Sequence, residues 1–587
     1  MKRSEIELKY KWNQEHTYPT FDDFMNDYHL IKKVCNQCVA MKDHICDNMN
    51  SFIDFMEHKE IITVKLSKLC AYASMKNDVE SDDPTNNKAL VYANQLQQEV
   101  NDALSFVNVE FMKNETILNE YLKAEACADF IYPTSEILRY KPHTLDQEQE
   151  IIMAQMSELA SAPYTSYNSL RMEHEDVVID GVNHFLNGGN YNSFLVNPSQ
   201  AVRKQAFEKY LKEYQKYQGI FANLLTTHAK GQISQAKLRN FDSALQASLF
   251  KDGVDEKLFN LVCTMGNGKY LPYLHEYFAL RKQLLNLDEQ HIYDLNVPLV
   301  SSINKKYPID EAFKILKEAL APLGNDYNEM VDVAIKQRWI DIYPHEKKRS
   351  GAYSHGTHET LPFILLNYNN TYDSMSTLAH EFGHSMHSYY SSKNNRGLLS
   401  RYTIFVAEAA STVNELLLAD YLLKNSDDKK LKASIIAGLL ETLVGTLYRQ
   451  TMYAQFEVEL HNAFASGNPL SSSEIADLFL KLNREHYGKD VIVDDLQGYR
   501  CYAIPHFYMN FYVYKYTLGM SVAIAFFKQI KAGTNQHLKY FLTRGGSTSP
   551  VQSFIDSKVD PYDPNLYDEA FTYFKELLDE FKNLMKD

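Results

Sequence analysis

Apolar positions recur every three or four residues through most of the first 185 residues, and Pro and Gly are scarce there. That spacing predicts one helix after another. Asn101–Tyr121 and Asp146–Leu159 carry it, and Thr144-Leu145-Asp146-Gln147 reads as a capping box. The pattern loosens over Tyr164–Phe185, which includes Val177-Val178-Ile179-Asp180-Gly181, and a soft domain boundary is placed at its end. The expected division is a helical domain over residues 1–185 and a second domain over 186–587. Helical spacing resumes through Pro198–Lys237. Further on the period changes to two: Arg338–Tyr343 and Gly351–His355 alternate as strands do. Leu361–Tyr368 is a short apolar run with Pro362 near its start, which suits an edge strand whose free N–H and C=O groups hold an extended peptide.

The next element is a helix. Met375, Leu378, Ala379, Phe382 and Met386 give it a buried face, Asp373 or Ser374 is the expected cap, and Asn369-Asn370-Thr371 forms the turn before it. Within it stands His380-Glu381-Phe382-Gly383-His384. Residues four apart on a helix lie on one face, so His380 and His384 can grip a single ion, and imidazole suits zinc. Zinc lowers the pKa of a coordinated water from about 15.7 to about 7. Glu381, adjacent to the first ligand, is placed to accept a proton from such a water without ligating the metal itself. Gly383 costs helix stability but lets another backbone or a substrate approach closely.

A catalytic zinc site takes a third protein ligand and keeps a fourth position open. Lys393–Gly397 is a loop by composition, so the next candidate, Glu408, comes from a second, antiparallel helix. The metzincin pattern requires a glycine and a histidine where this chain has His387 and Tyr390, which excludes that class. His387 is expected behind the ligands or in the core, and Glu415 as a carboxylate that orients a ligand or as an ordinary surface group.

Bulk properties narrow the function further. The chain has 587 residues, more than one core holds, so two or three subdomains are expected. Its 45% hydrophobic and 23% charged residues are ordinary for a soluble protein. The net charge of −15 argues against nucleic acid and anionic membrane as partners. No apolar run follows the basic start and none is eighteen residues long, so a cytoplasmic chain is expected. Seven scattered cysteines argue for reduced thiols, and Cys35-Asn36-Gln37-Cys38 reads as coincidence within a helix. Near the end, Tyr502–Tyr516 gathers Tyr508, Tyr512, Tyr514 and Tyr516 around His506, either as aromatic core or as donors to a developing oxyanion. Arg544–Pro550 reads as a mobile, Gly-rich loop beside a substrate site.

Taken together, Arg349–Ser354, Pro362–Tyr368, Thr377–His387, Phe405–Ser411, Pro505–Tyr516 and Gly545–Pro550 resemble the oligoendopeptidase F branch of the thimet oligopeptidase family of zinc peptidases, a gluzincin group. The resemblance runs more loosely through Lys141–Leu145 and Tyr293–Leu299. It implies a mainly α, two-lobed helical shell around a deep substrate channel, with a small β-sheet beside the zinc-binding helix. It implies one zinc per chain on His380, His384 and Glu408, with Glu381 as general base. His506 matches the family's transition-state-stabilising histidine and Tyr516 its oxyanion donor, with Tyr512 and Tyr514 open for that role. Gly351, Tyr353, Leu365, Tyr508 and Tyr514 are the residues expected to line bound peptide. Related enzymes often carry Asp where this chain has Thr412, which leaves open the group that orients the histidines. The implied activity is internal cleavage of short unstructured peptides by a monomer or small homo-oligomer. A zinc carboxypeptidase and a non-catalytic peptide-binding protein are the alternatives.

Overall fold

The computed structural model describes residues 2–300 and 305–586, apart from the side chains of residues 147 and 158. It is mainly α, with two small sheets. Its contacts divide it into two compact units: residues 1–141, 304–425 and 522–560 form one, and residues 142–303, 426–521 and 561–587 the other.

The first unit opens on long helices, Phe21–Ala40, Met49–Val79 and Pro84–Ala103, packed around Phe24, Phe52, Phe55 and Leu96. Cys35 and Cys38 lie in that core as free thiols, and burial pushes Cys38 up to about 12. The Met49–Val79 helix also backs a three-stranded sheet of β3 (Ile340–Asp341), β4 (Tyr353–His355) and β5 (Phe363–Leu365). The strand order is β3-β5-β4, with β5 parallel to β3 and antiparallel to β4. The apolar run is therefore the middle strand, not an edge. Phe363, Ile364 and Leu365 are all fully buried, as continuous apolar runs are when both faces of a strand are covered. Phe363 and Leu365 meet Trp12, Ala71 and Met75, and Tyr353 packs beside them. On the opposite face, the Ser354 hydroxyl meets that of Ser385 at 2.8 Å. The free edge belongs to β4.

The second unit is built around Phe207, Phe221, Phe456, Phe479 and Phe507. The loosened stretch before residue 185 forms its hairpin, β1 (Val177–Ile179) against β2 (Val182–His184). The cap of the Gln147–Ser169 helix falls two residues later than the spacing suggests. Asp146 accepts from the Gln149 N–H, and the Gln149 side chain reaches back to the Asp146 N–H. Lys429–Ala465 is a continuous helical stretch with a window of mean hydropathy 1.3, long and apolar enough to cross a membrane by composition alone. Within the unit, Ile436, Leu440, Leu447, Phe456 and Leu460 of that stretch are buried.

Candidate metal centre

The motif helix spans Tyr372–Asn394 and is capped by Thr371, whose hydroxyl accepts from the Ser374 N–H, rather than by Asp373 or Ser374. Its partner helix, Ile404–Asn425, runs antiparallel to it. The order of contacts shows the direction: Ala379 meets Asn414, Gly383 meets Ala410 and Ser411, and His384 meets Glu408. Gly383 explains how close the helices come. A Cβ there would stand 2.6 Å from the Ser411 Cα and 2.8 Å from the Ala410 carbonyl oxygen, so the near backbone belongs to the second helix. Asn414 bridges the seam, donating to the Ala379 carbonyl at 3.1 Å and accepting from the Tyr327 hydroxyl at 3.1 Å.

Across this seam His380, His384 and Glu408 converge, their ligand atoms all within 4.8 Å of one another. The two Nε2 atoms are 3.2 Å apart, and Glu408 Oε2 lies 3.3 Å from His380 Nε2 and 3.7 Å from His384 Nε2. Tetrahedral ligands about 2.0–2.2 Å from zinc stand about 3.3–3.6 Å apart, so this donor set fits the ion. Its charge fits as well. Burial opposes an imidazolium at His380, but Glu408 and Glu415 outweigh it and push the group up to about 10. Burial likewise opposes the Glu408 carboxylate, yet the two histidines hold it down at about 2. His384 is pushed down to about 4 by burial and then by the charge on His380. The carboxylates thus draw positive charge to the point where the three side chains meet.

Glu415 is the group that meets the outer nitrogen of a ligand, with Oε1 2.6 Å from His380 Nδ1 and Oε2 accepting from the Ser376 hydroxyl at 3.2 Å. It lies seven residues beyond Glu408, two turns along the same face, so Glu415 and not Thr412 meets the His380 ring. Glu381 is buried beside the candidate ligands, where the nearby backbone of Ser354 on β4 favours its charged form. Burial pushes it up to about 7, with His380 pulling the other way. The sheet edge thus lies beside Glu381, a neighbour that no sequence spacing indicates.

Other expected residues fall elsewhere. His387 is buried and stacked on Tyr402, with ring centroids 3.6 Å apart, and burial followed by the charge on His384 lowers it to about 3. It packs behind the motif helix, where the Tyr402 hydroxyl donates to the His384 carbonyl at 3.3 Å. Leu365, expected to touch substrate, is fully buried in the middle strand, where its neighbours already engage it. The Tyr353 side chain is occupied too, its hydroxyl donating to Asp78 at 2.8 Å, so what it offers outward is backbone on an edge strand. Gly351 is exposed, with φ +86°. The loop at Gly545–Gly546 is docked rather than mobile. The Gly546 N–H donates to the Leu399 carbonyl at 2.7 Å, and a Cβ at either glycine would strike the chain linking the motif helix to its partner helix.

His506, Tyr508, Tyr512, Tyr514 and Tyr516 belong to the second unit. Tyr508 and Tyr514 are core residues and not the peptide-lining groups expected: Tyr508 stacks on Tyr167 at 4.8 Å, and Tyr514 meets Phe259 edge-on at 5.2 Å. His506, Tyr512 and Tyr516 are half-buried. The Tyr516 hydroxyl lies 3.4 Å from His506 Nε2, and Tyr512 meets the Tyr516 ring edge-on. Two residues in left-handed backbone, Asn510 at φ +53° and Phe511 at φ +57°, set the turn between them. For a bulky residue such as Phe511 this is strained. Buried Glu457 holds the turn, accepting the Phe511 N–H at 2.6 Å, while the Ser248 hydroxyl donates to the Asn510 carbonyl at 2.5 Å. A π-helical turn at Val444–Arg449 frees the Thr446 carbonyl to accept from Thr517, fixing the helix that carries Tyr516. Neither Glu457 nor the π turn carries a sequence signal.

Comparison with known proteins identifies the family. Residues 193–573 match peptidase family M3, and residues 113–174 match the oligopeptidase F domain. Among curated proteins, the chain is 33% identical to oligopeptidase PepF of Bacillus subtilis, over 99% of this chain and 88% of that one. It is 32% identical to an oligoendopeptidase F homolog of Lactococcus lactis, over 100% and 98%. Among solved structures, one from Chlamydophila abortus superposes with a TM-score of 0.93 at 30% identity, covering 99% of both chains. Oligoendopeptidase-F from Enterococcus faecium gives 0.73 at 28% identity, covering 96% of this chain and 99% of that one.

Proposed function

This chain belongs to peptidase family M3 and is a metallopeptidase; from that premise we propose a zinc-dependent oligoendopeptidase that cuts internal bonds of short, unstructured peptides. The observation that carries the proposal is the convergence of His380 Nε2, His384 Nε2 and Glu408 Oε2 beside the buried carboxylate of Glu381. His380, His384 and Glu408 would hold the zinc, and Glu415 fixes the His380 ring through Nδ1. When bound, zinc supplies Lewis acidity that polarises the scissile carbonyl and acidifies water. Glu381 takes the proton from the attacking water on its carboxylate and returns it to the leaving amine nitrogen. The free edge of β4, in place of the 361–368 segment, aligns the peptide in extended form through backbone hydrogen bonds. His506 and Tyr516 are the proposed donors to the oxyanion, with the half-buried Tyr512 second.

The test is one end-blocked peptide of about ten residues, a size suited to a cleft, incubated with and without a zinc chelator and read by mass. Internal cleavage that the chelator abolishes and added zinc restores is the expected result. Cleavage that survives complete zinc removal overturns the proposal. No cleavage of the blocked peptide, with trimming of the same peptide once its C-terminus is free, points instead to a carboxypeptidase.

A further inference from the structure

Beyond the C-terminal end of β4 the first unit holds a cavity of about 710 Å³, within the range of pockets that take peptide-sized groups. The Met49–Val79 and Pro84–Ala103 helices wall one side, and Ser388 and Ser392 of the motif helix the other. It adjoins the proposed reaction centre, since Ser354, the β4 residue beside Glu381, is part of its lining.

Its charge is unlike that of the rest of the molecule. The chain carries 75 acidic residues and a net charge of −15, yet no Asp or Glu lines this cavity, while Lys59, Arg401, His355 and His358 do. Neighbouring cations are neutralised: Lys65 and Lys68 pair with Glu359, and Arg396 pairs with Glu60. Among the described residues, Lys59 and Arg401 have no ion pair and no side-chain hydrogen bond. His358 Nδ1 is buried and also lacks a partner. Lys59 is half-buried, and burial lowers its pKa, so an anion that joins it offsets a desolvation cost; Arg401 is exposed at the rim, open to an incoming ligand.

We propose that this cavity is a carboxylate subsite: Lys59 and Arg401 bind an acidic group of a peptide aligned on β4, so that cleavage is selective for peptides bearing a carboxylate at a fixed distance from the cut bond. The inference rests on the peptidase reading for its place along the substrate, but the anion site stands on the cavity's own charge. Two sources share this chemistry, an acidic side chain and a free C-terminus.

The experiment uses one core peptide in three forms: neutral with both ends blocked, with a free C-terminal carboxylate, and blocked with a single glutamate moved through successive positions. Cleavage is followed as kcat/KM, and binding separately by fluorescence anisotropy of labelled peptides. The native protein is compared with Lys59→Met, Arg401→Gln and the charge-conserving Arg401→Lys, each first shown to unfold at the native temperature. One carboxylate position is expected to raise kcat/KM by about ten- to a hundredfold over the neutral peptide, the range of charge-assisted hydrogen bonds. That advantage should collapse in Lys59→Met and Arg401→Gln and return in part in Arg401→Lys. The form that shows it identifies the source. Equal cleavage of all forms by the native protein, or an advantage that persists in both charge-removing variants, overturns the subsite. If no peptide is cut but binding still depends on the carboxylate and on Arg401, the subsite stands and the peptidase reading falls.

Discussion

The two regions that bear chemistry are held in opposite ways. In the first unit, two long helices pack so closely that one position admits only glycine, and three candidate metal ligands meet across the seam. Their relative placement follows from helix geometry, and Asn414 and Glu415 pin it with hydrogen bonds. In the second unit, His506 and Tyr516 sit on either side of a short irregular turn with two residues in left-handed backbone. There the positions depend on a buried carboxylate and a π-helical carbonyl rather than on repeating structure. The metal ligands should therefore tolerate little change in packing, whereas the tyrosine region should respond to whatever loosens its turn.

The largest effect that sharpens this contrast is expected within the tyrosine region. Tyr516→Phe should lower kcat by about 10² to 10³ with zinc retained, the usual loss for one oxyanion donor. Tyr512→Phe should stay close to native, and the reverse ranking would transfer the role to Tyr512. Next comes the helix seam. Gly383→Ala drives a methyl into the Ser411 and Ala410 backbone and should cost about 1–3 kcal/mol, read as a lower midpoint of unfolding together with weaker zinc binding. An unchanged midpoint would show that the helices separate easily.

The smallest effect concerns the strained turn and its pH dependence. Burial pushes Glu457 up to about 8 from the usual 4.5, with the Phe511 N–H pulling it down. The folded chain therefore holds a proton that the unfolded chain has released. This contribution to stability is fully present below about 4.5 and is lost as the pH rises to about 8. Glu457→Gln cannot ionise, so the difference in unfolding midpoint between variant and native should move in the variant's favour from about pH 5.5 to about pH 8.5. A constant difference would mean that Glu457 is charged throughout.

The same contrast explains what could be read from the sequence. His380, Glu381, His384 and Glu408 were legible because helical spacing alone puts them on facing surfaces, and Gly383 signalled close approach for the same reason. The position of β5 was misjudged because Pro362 suggests an edge, while β3 and β4 pair with it on both edges and other segments, among them Trp12 and the Met49–Val79 helix, cover its faces. Among Tyr508, Tyr512, Tyr514 and Tyr516, composition cannot separate core from surface. The left-handed Asn510–Phe511 pair resets the direction of the chain, so no period runs through all four. Glu457 stands 54 residues from its partner Phe511, a pairing that only the fold creates.

The central claim is that Glu381 moves the proton while His380, His384 and Glu408 hold the metal, and Glu381→Gln separates the two. Zinc content measured on the purified variant, alongside kcat on an end-blocked peptide, should give one zinc per chain and a rate at least about 10²-fold below native, the span of general acid–base catalysis. A variant that keeps its zinc and turns over at the native rate would remove Glu381 from the mechanism and contradict the account.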